Sequence, residues 1–131
     1  MTNPLEGTFQ ITGWDETPYC ENDDGSKQTH AKITQGYTGD IDGLSKLQYL
    51  MSYTRDGNAV FVGFENVSCT IDGKSGGFVI QHNGKFEAGV ASSHFIIVEG
   101  SGTQGLVDIS GTGTFTSADN GQAHYTLTLA R

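Results

Sequence analysis

Two carboxylates and a histidine, Glu65, His82 and Glu87, lie within one β-patterned stretch and are the residues whose types could do chemistry together. A carboxylate beside an imidazole can hold and move a proton near neutral pH, or fix the polar end of a bound molecule. What brings them together is a ribbon of two β-type runs, Ala59–Ile71 and Lys74–Asn83, joined by Asp72-Gly73. Asp-Gly at that place predicts a two-residue type I′ turn, because both central residues of such a turn need φ > 0. Glu65 then faces Ile80, and Gly63 faces His82. Reading Asn83-Gly84 as a second two-residue turn sets Glu87 on the other side of Ile80. Glu65, Ile80 and Glu87 form a row, and His82 is the diagonal neighbour of both carboxylates, at the roughly 7–8 Å that long side chains bridge. Gly63, with no side chain, leaves room for the imidazole.

Phe61, Val67, Cys69 and Phe78 share this face. If it points into a closed barrel, burial and the close charges shift the pKa values of the cluster. Glu65 and His82 are then the candidate catalytic groups. The candidate ligand-binding set is Glu65, His82, Glu87, Tyr49, Tyr53, Phe61 and Trp14. If the face points outward, the three ionisable residues are ordinary surface. Patterning favours the outward orientation, since ionised side chains are seldom fully buried. The register of Leu44–Tyr53 stays open as well. A three-residue loop at Asp56-Gly57-Asn58 puts Tyr49, Met51 and Tyr53 on the Glu65 face, and a two-residue loop puts them on the opposite one. His30, His94 and His124 have no acidic or Cys partner at ligand spacing and read as strand-surface residues.

The surrounding chain reads as more strands. Leu5–Gly13 alternates, Trp14 to Ser26 is loop-like with an acidic turn at Glu21–Gly25, and Lys27–Thr38 alternates again. Leu44–Tyr53 fits either helix or strand by periodicity, and its aromatic content decides for strand. Lys85–Glu99 reads as one long strand, Gly100–Gly105 as a loop, and Leu106–Thr116 and Gln122–Ala130 as the last two strands around a turn at Asn120-Gly121. Eight strands and little or no helix predict an all-β fold. Closure into an eight-stranded antiparallel up-and-down β-barrel, one domain over residues 1–131, covers the sheet edges. Such a barrel fills with side chains or holds one small ligand.

A net charge of −8 and the lack of any Lys or Arg run argue against a nucleic-acid partner. No apolar stretch approaches the ~18 residues of a membrane helix, so no membrane role is expected. MTNPLEGTFQ lacks the basic and apolar regions of a signal peptide, which makes a cytoplasmic location the expectation. Cys20 and Cys69 have no local partners, so neither a metal nor another cofactor is expected. Gly100–Gly105 spells G-x-G-x-x-G after a strand, but a dinucleotide site needs a helix to open there, and a β-patterned run follows instead. Gly73-Lys74-Ser75 has Ser68 where a phosphate loop needs its first glycine. Glu21–Gly25 lacks the spaced ligands of a calcium loop.

Several phrases (GTFQITGWDETPY, YLMSY, DGNAVFVGFE, GKSGGFVIQHNGKFEAGVA, GSGTQGL and HYTLTL) together resemble a family of small bacterial proteins of unknown function with the allene-oxide-cyclase-like β-barrel fold. The resemblance implies an eight-stranded antiparallel barrel and a homo-oligomer. Plant cyclases of that fold bind an unsaturated fatty-acid epoxide in an apolar barrel cavity, where a glutamate and a water assist ring closure. Glu65 is the counterpart the resemblance points to at fold level, without a residue-by-residue match, and fold does not imply function. The expected function is binding of a small, mainly apolar molecule in the barrel. The alternatives are a cofactor-free isomerase or cyclase acting on a lipid-like substrate, and a structural oligomer without ligand.

Overall fold

The computed structural model describes residues 4–117 and 121–130. Eight antiparallel strands follow one another around a closed barrel: β1 Leu5–Glu21, β2 Lys27–Gly39, β3 Ile41–Tyr53, β4 Ala59–Ile71, β5 Lys74–Glu87, β6 Val90–Ile97, β7 Gly111–Ser117 and β8 Gln122–Leu129. β8 returns to pair with Leu5–Gln10 of β1, which removes the free edges. The helical content of the described residues is a 3-10 turn, Gln104–Leu106, and one further 3-10 residue, Gly121, and no helix among them is long and apolar enough to cross a membrane. Alternation does what the sequence predicts on the long strands. Ala31, Ile33 and Tyr37 of β2, Leu47, Tyr49 and Met51 of β3, and Phe61, Glu65 and Val67 of β4 are all buried, with exposed residues between most of them.

Three local expectations need correction. Trp14–Glu21 is strand, not loop. β1 runs on through bulges at Ile11/Gly13 and Pro18/Cys20, and each bulge lets a chain with broken alternation stay paired with β2. Asn83-Gly84 is not a turn. β5 passes straight through it to Glu87, and the reversal falls at Ala88-Gly89, where Ala88 itself takes φ 50°. The first part of the expected strand Leu106–Thr116 is loop and 3-10 turn, and β7 starts at Gly111. Asp72-Gly73 is the predicted tight turn, with φ of 51° and 78°. Tyr53 pairs with Ala59, which settles the open register with Tyr49 and Met51 on the Glu65 face. Of the expected turn at Asn120-Gly121, Asn120 lies outside the described residues.

The two ends of the barrel differ. At one end the chain from Val98 to Ser110 lies along the first half of β5, which β6 leaves unpaired. Val98 N–H donates to Val79 O, and Thr103 N–H donates to Gly77 O. A Cβ at Gly76 would come within 2.1 Å of the Thr103 carbonyl oxygen, so glycine there permits the approach. This segment carries Leu106 into the core, and Tyr125 from β8 donates to Thr38 O at 2.9 Å and accepts from Ile41 N–H at 2.8 Å. That end is closed. At the other end β1 continues past its last pairing with β8 at Gln10, and β1 to β3 form a lip above a cavity.

Candidate functional site

The alternation of β2 to β6 delivers a polar layer into the middle of the barrel. Glu65 faces Ile80 across the β4–β5 pair, so His82 is its diagonal neighbour. His82 in turn faces Phe95, which makes Ser93 the next diagonal step. Glu65, His82 and Ser93 are 1%, 2% and 3% exposed, and the outward orientation is therefore overturned. The carboxylate is shared between two partners. Tyr37 O–H donates to Oε2 at 2.5 Å, and His82 Nε2 lies 2.7 Å from Oε1. His82 Nδ1 lies 3.0 Å from Ser93 Oγ, whose own proton goes to the His94 carbonyl at 3.2 Å.

Every polar side chain of this layer has a partner: His82 Nε2 meets one Glu65 carboxyl oxygen, Tyr37 donates to the other, and His82 Nδ1 meets Ser93 Oγ. Completed hydrogen bonding is how two ionisable groups are tolerated at this depth. Burial, with the Glu65 carboxylate adding to it, pushes the Tyr37 hydroxyl well above the ordinary tyrosine range, so Tyr37 stays a donor. His82 is held by ring contacts as well, edge-on to Tyr49, Phe95 and Phe115 at centroid distances of 5.3–5.6 Å.

Above this layer, at the open end, is a cavity of about 220 Å³. Its walls are mostly apolar, with Phe9, Phe61, Phe86 and Phe115 among them and Trp14 at the rim. Gln35 and Tyr49 line it too, and each buries a polar atom, Gln35 Oε1 and Tyr49 Oη, that has no hydrogen-bond partner. Ser45 Oγ, directly across from Gln35 on β3, is a third such atom. Tyr49 links the two zones: it lines the cavity and packs on His82, and burial followed by the Glu65 charge raises its hydroxyl well above the usual range. On the lip, Glu16 accepts from Thr29 Oγ1 at 2.6 Å, Tyr53 Oη at 2.7 Å and Trp14 Nε1 at 3.0 Å.

Of the residues singled out from sequence, the structure brings Glu65 and His82 into contact and sets Tyr49, Phe61 and Trp14 on the cavity. Tyr53 stands on the lip, bonded to Glu16. Glu87 is not in the layer. The reversal at Ala88-Gly89 moves it to the exposed end of β5, where it pairs with Lys85 at 3.1 Å. Gly63 faces His82 as predicted, but the space it leaves is taken by β3: a Cβ there would meet Gln48 O and Tyr49 Cδ1. Tyr37, Ser93, Gln35 and Glu16 went unmarked. Placing the turn at Ala88-Gly89 brings Ser93 onto the Glu65 face by parity alone, and the β1 bulge is what turns Glu16 inward.

Fold and site together define a small closed up-and-down barrel with an internal polar layer and a cavity open at one end. The chain belongs to the family described as "Protein of unknown function (DUF3224)", whose profile matches residues 5–129. It is similar to the crystal structure of a DUF3224 protein of unknown function from Shewanella oneidensis MR-1. The TM-score is 0.77 at 26% identity, over 98% of this chain and 97% of that one. No curated protein matches it.

Proposed function

We propose that the barrel binds a small, mainly apolar molecule in the cavity at its open end. The observation that carries this reading is the pairing of apolar walls with two orphaned polar atoms, Gln35 Oε1 and Tyr49 Oη. A buried polar group without a partner costs about 1–3 kcal/mol, and a ligand that meets it recovers part of that cost. Binding sites commonly combine apolar walls with a few placed polar groups in this way. The size limits the occupant. An apolar cavity of about 150 Å³ is enough for benzene, so one of about 220 Å³ suits a single substituted ring or a short chain rather than a whole fatty acid.

Met51 supplies the test. The chain has two methionines, Met1 and Met51, and Met51 lines the cavity. In protein labelled at the methionine methyl carbons, a panel of single-ring compounds is expected to shift the Met51 resonance in a saturable way. A Met51 signal unmoved by every member at millimolar concentration would overturn the reading. Proton-transfer catalysis by Glu65 or His82 has less support, because neither residue lines this cavity and Tyr49 stands between.

A further inference from the structure

We infer that the cavity selects uncharged, hydrogen-bond-donating ring compounds, the class of phenols and indoles, and rejects carboxylates. This rests on the proposed binding function and says what kind of molecule the same site takes. Charge is the first discriminator. Among the described residues, no Lys, Arg or His lines the cavity. Around it stand Glu16, on the lip beside Trp14 with Lys27 near it, and the Glu65–His82 pair behind Tyr49. A carboxylate entering this space would lose its hydration and find no cation among the described lining residues. The apolar acid that a fatty-acid-binding barrel would hold therefore has no counter-ion here.

The second discriminator is the kind of polar atom left unpaired. Gln35 Oε1 is a carbonyl oxygen and can only accept. An occupant satisfies it by donating an O–H or N–H. Tyr49 Oη can donate or accept, so it pairs with the same hydroxyl or with a neighbouring polar atom. The apolar lining gives the third. Phe9 and Phe115 pack at 80° with centroids 5.2 Å apart, and Tyr49 and Phe61 at 37° and 4.5 Å. Flat and edge-on ring surfaces of this kind favour a planar aromatic guest over a branched aliphatic one of equal area.

The experiment uses four probes near neutral pH on the methyl-labelled full chain, with the Met51 shift as the readout: p-cresol, indole, toluene and benzoate. Expected is saturable binding of p-cresol and indole, toluene weaker by roughly five- to tenfold, about the worth of one buried hydrogen bond, and no benzoate shift. Gln35→Met, close in volume and without the carbonyl, should narrow the gap between p-cresol and toluene. Toluene binding as well as p-cresol in the wild type, or benzoate binding best, overturns the donor-selective site while leaving cavity binding intact. A preference for p-cresol that is undiminished in Gln35→Met overturns the role given to Gln35. If no probe moves Met51, the binding reading itself falls.

Discussion

The barrel interior holds two sets of polar groups a few residues apart, and they are treated in opposite ways. In the central layer Tyr37, Glu65, His82 and Ser93 hand hydrogen bonds to one another. Around the cavity Gln35 and Tyr49 are just as buried and meet nothing. Folding alone explains the first set, since a completed network can sit in a core at little net cost. It does not explain the second, where each orphan lowers stability. A layer that is complete positions and supports; a set that is incomplete waits for a partner from outside. On the proposed binding function, the most ionisable residues of the interior are the scaffold of the site, and a glutamine and a tyrosine are its recognition groups.

The largest effect should come from breaking the complete set. Glu65→Ala strands the Tyr37 hydroxyl and His82 Nε2 and opens a void, which is expected to cost about 3–5 kcal/mol in urea unfolding. Glu65→Gln keeps the shape. Its carboxamide oxygen accepts from Tyr37 and its N–H donates to His82 Nε2, so the loss should stay near 1 kcal/mol. If the two variants lose equal stability, the layer does not act through its hydrogen bonds and the contrast with the cavity collapses.

The incomplete set should respond with the opposite sign. Tyr49→Phe removes an orphaned hydroxyl and keeps the ring contacts with Phe61 and His82. Stability is expected to hold or rise by up to about 1 kcal/mol, while p-cresol binding followed at Met51 weakens. A clear destabilisation by this one-atom change would mean that the hydroxyl already has a partner in solution.

The strand pattern was legible in the sequence because alternation and Asp-Gly turns are local signals. The β4–β5 pairing, with Glu65 opposite Ile80 and Gly63 opposite His82, follows from Asp72-Gly73 alone. The rest of the layer depends on where the next turn falls, and there the local signal misleads. Asn83-Gly84 has the composition of a tight turn yet lies inside β5, and the true turn uses Ala88, a poor residue for φ 50°. Orientation was hidden for another reason. Burial of Glu65 is acceptable only because Tyr37 and His82 complete it, and that partnership spans three strands. Replacing Ala88 by Asn, which tolerates the left-handed region, should raise stability by about 1 kcal/mol and tighten the register that sets Ser93 beside His82. Met51 shifts on ligand addition should not change. If they do, the layer and the cavity are not separable.

The smallest expected effect lies at the rim and marks the cavity side off from the layer by its response to pH. Partial burial would raise the Glu16 pKa, but the hydrogen bonds from Thr29, Tyr53 and Trp14, helped by Lys27, outweigh it and hold the group below its ordinary value of 4.5. A depressed folded-state pKa contributes stability that is present above the ordinary value and is lost as pH falls through the folded one. Glu16 is only partly buried and is screened by solvent, so that contribution is on the order of a few tenths of a kcal/mol. Trp14 is the single tryptophan and bonds to Glu16, so its fluorescence should stay constant above pH 4.5 and change as pH falls below it, before global unfolding. Glu16→Gln should abolish that early change, because a carboxamide does not titrate. An early change that survives in Glu16→Gln would assign it to another carboxylate and remove the rim as a separately titrating part of the barrel.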